Sequence, residues 1–342
     1  MNIWHILLTV LLISVLALLH ELGHFLTARI FKVPVKEFAV GMGPRLISVR
    51  SKKTETAYSL RLLPIGGFVS MVGEDEVSDD ENALPKKPVW QRMIITAAGS
   101  VMNIITGFTV MLVVVLLSAK IGGTTVADFA DGALTEKTGL MIGDRIVGID
   151  GNSVHVSGDL SYEIMRNATK PISVEVIRNG ERITLEYVVF PTTVEQGVTF
   201  GIPDFYCNAE PKTPLNVIKH TFYRSVSAVK MVWESLTDLI TGRYSIEHVS
   251  GPVGVATAVS DAAQSGAVDF LFLTVVISMN LGVFNLLPIP ALDGGRLAFQ
   301  VIELVRGKPL KPEIEGYVHF AGIVILMLFM VVITFKDVIN LF

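Results

Sequence analysis

Four stretches of this chain, Ile3 to Leu19, Ile94 to Ala119, Phe270 to Leu292 and Tyr317 to Phe335, are apolar over about the length a helix needs to cross roughly 30 Å of hydrocarbon. That requirement outranks other signals, because a backbone in lipid must satisfy its own hydrogen bonds, and only helices and closed barrels do so. With 51% hydrophobic residues in 342, the composition lies well outside the range of an ordinary soluble domain. The opening MNIWH has neither the basic start nor the following small-residue cleavage site of a signal peptide, so the first stretch reads as a retained span.

Basic residues set the expected orientation. Arg29, Lys32, Lys36 and Arg45 follow the first span and Lys86, Lys87 and Arg92 precede the second, which places that loop in the cytoplasm. No Lys or Arg occurs from Tyr244 to Gly295, whereas Arg296, Arg306, Lys308 and Lys311 lie between the third and fourth spans. Both termini are therefore expected outside. A net charge of -4 from 28 basic and 32 acidic residues argues against nucleic acid as a partner. The single cysteine, Cys207, excludes an intrachain disulfide and a thiolate zinc cluster, so any metal ligands must be His or carboxylate.

The long segment between the second and third spans has room for one small domain. Gly132 to Val154 carries Gly-Asp and Asp-Gly turn signals around the β-branched run Arg145 to Ile149, and Asn179-Gly180 marks a tight hairpin. Asp159 to Asn167 has helical character. From Pro214 to Thr241 charges recur too often for a span, which predicts an amphipathic helix on the membrane surface.

Inside the first apolar run stands LLHELGHF, Leu18 to Phe25. Four residues apart on a helix, His20 and His24 share a face at a separation one metal ion bridges, with Glu21 beside them. Packing or pore-lining histidines are the plainer reading. Yet ionisable groups in a span cost about 2.5 to 3.5 kcal/mol each, so three together call for a compensating partner, and zinc is one. Catalytic zinc commonly takes three protein ligands, so another is expected elsewhere. In NLLPIPALDGGR, Pro288 and Pro290 interrupt the third span, and Asp293 is the only carboxylate from Phe270 to Phe299. Alone it reads equally as a helix cap. Together with HELGH, and at the same cytoplasmic-side depth by topology, it becomes the third ligand.

The phrase GLMIGDRIVGIDG resembles a bacterial PDZ domain across Thr124 to Phe190. Nearly the whole chain resembles the site-2 protease family of intramembrane zinc metallopeptidases, of the bacterial regulator-of-sigma-E protease type. The resemblance is carried by HELGH, FAVGMGP (Phe38 to Pro44), LPIGGFV (Leu63 to Val69), AAGSVMN (Ala97 to Asn103), SGPVGVA (Ser250 to Ala256) and NLLPIPALDGG (Asn285 to Gly295). Ser100 departs from the proline usual in the second-span phrase. The resemblance implies a polytopic α-helical membrane protein of the bacterial plasma membrane, with four transmembrane helices, a membrane-associated β-hairpin or sheet and one inserted extracytoplasmic PDZ domain. The expected divisions are 1–119, with spans one and two, HELGH and the hairpin; 120–200, the PDZ domain; 201–267, an amphipathic outer region; and 268–342, with spans three and four and the LDGG motif.

Implied also are a Zn²⁺ cofactor on His20, His24 and Asp293, Glu21 as the catalytic base, and Asn285 as a contact to substrate backbone. Helix-to-helix hydrogen bonding is the plainer role for Asn285, and more so for Asn103, which is left out of the catalytic set. The alternation from Arg45 to Val69 predicts a β-hairpin whose edge could pair with an extended substrate. Implied substrates are single-span proteins such as anti-sigma factors, already trimmed by an upstream site-1 type protease, and signal-peptide remnants, with the lipid bilayer as solvent. A catalytically inactive PDZ-containing membrane adaptor would share every motif except turnover, and an ion transporter would spread its polar residues more widely. The acidic run Glu74 to Pro88 reads as a solvated loop, and His5, His155, His220, His248 and His319 read as structural.

Overall fold

The computed structural model describes residues 3–74, 78–195, 197–243 and 249–339, so His248 and part of the acidic run lie outside the described residues. The elements run α1 (Ile3–Ile30), β1 (Val35–Arg50), β2 (Ala57–Met71), α2 (Val89–Leu117), β3 (Ile121–Phe129), α3 (Leu134–Lys137), β4 (Arg145–Ile149), β5 (Asn152–Ser153) and α4 (Ser157–Asn167). They continue as β6 (Ile172–Arg178), β7 (Glu181–Val188), β8 (Thr192–Glu195), β9 (Val198–Gly201), β10 (Phe205–Glu210), α5 (Pro214–Ile240), α6 (Pro252–Ser265), α7 (Ala267–Leu286), α8 (Asp293–Arg306) and α9 (Pro312–Ile339). Two compact units result, one from residues 1–110 and 229–342, the other from residues 111–228.

Helices α1, α2, α7 and α9 are long and apolar enough to cross a membrane, as the hydropathy predicts. Two boundaries differ for local reasons. Helix α1 continues through HELGH to Ile30, since nothing in that segment breaks a helix. Helix α7 stops at Leu286 and not at Leu292, because Leu287 turns extended ahead of Pro288. In the first unit, small residues let the helices approach closely. A Cβ on Gly23 would collide with the Ala98 carbonyl of α2, and one on Gly282 of α7 would fall 2.7 Å from Ile104 of α2. The Ser278 hydroxyl donates to Asn103 O across 2.8 Å, tying α7 to α2. Helix α6, which hydropathy does not single out, packs Val259 with Leu12 and Leu16 of α1. Its first turn is held by Asp337 of α9, whose Oδ2 accepts from the N–H groups of Gly251 and Gly254, each at 2.9 Å.

Strands β1 and β2 form the expected hairpin, but each bends back and pairs twice. Phe38 to Val40 lie between Tyr58 to Leu60 on one side and Gly67 to Val69 on the other, while Ser48 to Arg50 pair again with Ala57 to Ser59. Leu46, Ile47, Val49, Leu62, Leu63 and Ile65 are all exposed on this sheet, a surface suited to lipid. Buried Glu37 accepts from Arg45, Ser59 and Arg61, the last at 2.9 Å. Within the acidic run the reading as solvated loop needs correction at Glu74, which pairs with Arg296 of α8 and accepts the Met71 N–H at 3.3 Å.

The second unit is built on an antiparallel sheet in the order β10-β3-β4-β6-β7 with β5 beside β4, covered by α4. Its core contains Val126, Ile146, Ile149, Leu160, Ile164, Val174, Val176 and Phe205. The turn signals fall where expected: Asp150-Gly151 and Asn179-Gly180 all have positive φ and close tight reversals. Asp144 of the Gly-Asp phrase is buried, gripped by Arg178 through two bonds of 2.7 Å and by the Met141 N–H at 2.9 Å. Strand β10 extends this sheet beyond residue 200 by pairing with β3.

Burial pushes the Glu37 carboxyl up, but the Arg45, Ser59 and Arg61 donors outweigh it and hold it down at about 2. Its folded value therefore lies below its ordinary value near 4.5, so its stabilisation is complete above that pH and fades as pH falls toward 2. Replacing Glu37 by Ala removes the carboxylate that pairs with Arg61 and is expected to cost about 3 kcal/mol. The thermal midpoint in detergent should drop at pH 7, and its gap from wild type should narrow between pH 4.5 and 2.

Candidate metal centre

The HELGH segment is helical because its residues continue α1 without interruption, and that helix places the two imidazoles one turn apart on one face. His20 Nε2 and His24 Nε2 lie 3.2 Å apart. Asp293 Oδ2 is 3.0 Å from the first and 3.3 Å from the second, which closes a triangle across 269 residues of chain (293 minus 24). Two histidines and a carboxylate predicted as ligands are thus brought together, and all three belong to the first unit.

Asp293 is positioned by the break after α7. Pro288 and Pro290 prevent the helix from continuing, Ala291 takes φ 84°, and its N–H donates to His319 Nδ1 at 3.1 Å. Side chains are excluded from the turn that follows: a Cβ on Gly295 would fall 2.6 Å from Ile289 O, and one on Gly294 would collide with Leu287 O. The carboxylate then opens α8 as its first residue, while the cap position falls to Leu292 and no side chain caps the helix, so Asp293 is not the helix cap that it resembles in sequence. His319, read as structural in sequence, supports this loop.

The site fits a zinc ion on its own chemistry. Zn–N and Zn–O bonds of about 2.0 to 2.1 Å give a tetrahedron with edges of about 3.3 Å, close to the three measured separations. Asp293 Oδ2 is buried without a hydrogen bond of good geometry, an orphan acceptor that a cation would satisfy. His24 Nδ1 sits 2.8 Å from Ile95 O. A carbonyl only accepts, so the His24 proton is on Nδ1 and the Nε2 lone pair faces the triangle.

Glu21 is not one of the three residues of the ligand triangle, and its Oε2 accepts the Val69 N–H of β2 at 2.9 Å. Seven residues earlier, Ser14 accepts from Gly66 N and donates to Pro64 O. Helix α1 is therefore stitched along β2. Asn285 lies half-buried on α7, outside the triangle, and its side-chain amide makes no hydrogen bond among the described residues. Asn103, left out of the catalytic set in sequence, is buried with its amide 3.2 Å from His20 Nδ1. Gly99 is a further site residue that the motif AAGSVMN contained without revealing its role: a Cβ there would lie 2.6 Å from His20 Nε2.

Peptidase family M50 matches residues 8–329 of the chain. A Clostridium acetobutylicum protein bearing the provisional name of zinc metalloprotease is 36% identical over 340 residues, covering 99% of this chain and 98% of its own. The regulator of sigma-W protease RasP of Bacillus subtilis is 30% identical, covering 97% and 98% of the two chains. The zinc metalloprotease RasP of Bacillus licheniformis is 31% identical with the same coverage.

Substituting Gly99 by Ala tests the closeness of α2 to the triangle. The added methyl displaces both imidazoles, and zinc affinity measured by competition with a chromogenic chelator should fall about 10-fold or more.

Proposed function

The chain belongs to Peptidase family M50, the site-2 protease family, and is a zinc metalloprotease; on that footing we propose that it cuts single-span membrane proteins within or beside their membrane segment. The observation that carries the reading is the His20, His24 and Asp293 triangle, whose two histidines sit on a helix long and apolar enough to cross a membrane, with Glu21 one residue from the first of them. Zinc held there supplies an acidified water and a Lewis acid for the scissile carbonyl. Glu21 takes the proton of the attacking water and returns it to the departing amine. The Val69 N–H holds Glu21 Oε2 and leaves Oε1 for that transfer.

A substrate helix must first be unwound, because its amides are satisfied internally. The β1–β2 sheet, with its apolar exposed surface, offers an edge for the extended segment, and the Asn285 amide donates to and accepts from that backbone. The sheet of the second unit, with its Gly-Asp turn and its hairpin at Asn179, is read as a PDZ-like domain. It lies outside together with both termini and excludes substrates that keep a folded ectodomain, while the triangle lies toward the cytoplasmic side. One relative is named for regulating sigma-W. By that likeness the proposed substrates are anti-sigma factors already trimmed by an upstream protease, and signal-peptide remnants.

The test uses purified protein in detergent with a tagged single-span substrate lacking its ectodomain. Glu21→Gln should keep its zinc and lose at least about 10²-fold in cleavage rate. A zinc-loaded wild type that cleaves none of several such substrates would overturn the proposal in favour of a binding role.

A further inference from the structure

Each ligand imidazole has a second ring nitrogen that also needs a partner. For His24 that partner is Ile95 O. For His20 it is Asn103, whose side-chain amide lies 3.2 Å from Nδ1. Asn103 is 0% exposed, and its backbone carbonyl, not its side chain, receives the Ser278 hydroxyl. Its Oδ1 is buried and has no hydrogen-bond partner among the described residues.

An imidazole that gives Nε2 to a cation carries its remaining proton on Nδ1 and so becomes a donor there. Facing it, an amide NH₂ would set donor against donor. A half-turn of the amide exchanges its two ends and brings the orphan Oδ1 to the Nδ1 proton. We propose that Asn103 is a positioning residue of the metal centre: its Oδ1 accepts from His20 Nδ1–H, which fixes the tautomer and ring plane that aim Nε2 at the metal. The two histidines are then supported alike, each through an oxygen supplied by α2, one from the main chain and one from a side chain. The inference rests on the zinc reading of the triangle.

The experiment measures zinc affinity of the full chain in detergent by chelator competition, for wild type and for Asn103→Ala, Asn103→Leu, Asn103→Asp and Ser278→Ala. Asn103→Ala and Asn103→Leu should lose about 10- to 100-fold. Asn103→Asp, which keeps an acceptor oxygen at the same reach, should stay near or above wild type. Ser278→Ala cuts the tie between α7 and α2 without touching the amide and should leave affinity unchanged. Wild-type affinity in the Ala and Leu variants overturns the proposal. So does an Asp variant that falls as far as Leu, or a Ser278→Ala loss as large as that of Asn103→Ala, either of which would mark a packing role. A wild type that takes up no zinc would overturn the metal reading and this inference together, whereas the other outcomes bear on Asn103 alone.

Discussion

Everything at the ligand triangle depends on how closely α2 can approach α1. Within lipid, helices gain nothing from excluding water, so van der Waals contact and interhelical hydrogen bonds must hold them. Gly23 allows the Ala98 carbonyl to come against α1, and Gly99 leaves room for both imidazoles where any side chain would lie on top of them. Because the backbones are this close, Ile95 O and the Asn103 amide reach the far nitrogens of His24 and His20. The same contact that packs the helices orients the donors, and an apolar span thereby carries two histidines whose polar atoms are otherwise costly.

A second constraint complements the first. The carboxylate ligand does not arrive on an unbroken apolar helix: α7 ends at Leu286 and α8 starts at Asp293. The prolines between them remove hydrogen-bond donors that a helix would use. The freed backbone is satisfied elsewhere, in part by His319 receiving the Ala291 N–H. The irregular backbone between α7 and α8 thus delivers Asp293, and the glycines after it let the α8 start close on the Leu287 and Ile289 carbonyls.

Much of this is legible in sequence because it depends on local spacing. Spans follow from runs of apolar residues, the paired histidines from an interval of four, and the reversals at Asp150-Gly151 and Asn179-Gly180 from residues that tolerate positive φ. Asp293 is legible only because it is a lone carboxylate in an apolar stretch. What escapes is nonlocal. The doubling back of β1 and β2 depends on which strand segments meet, and β10 pairs with β3 from some 80 residues away (205 minus 129 is 76), which no local pattern encodes. Asn103 and Gly99 look like ordinary helix-packing residues until α1 is placed against them. Glu74 belongs to an acidic run that reads as solvent-facing, and its pairing with Arg296 spans 222 residues.

The placing of Glu21 joins these local and nonlocal elements. Ser14 and Glu21 are seven residues apart, two turns of α1, or about 10.5 Å along its axis. Their partners Gly66 and Val69 are three residues apart on β2, which spans about 10 Å of strand. Helix and strand therefore run in step, and the two contacts define one register. Backbone N–H groups alternate sides along a regular strand, and Gly66 departs from that geometry with φ 67°, so that its N–H and the Val69 N–H three residues on both reach α1. The pairing of β1 with β2 shifts register repeatedly between Val35 and Ile47. Such irregularities let the two strands bend back on each other while residues 66 to 69 stay in step with α1, so the fold of the exposed sheet and the setting of the Glu21 carboxylate are a single structural problem.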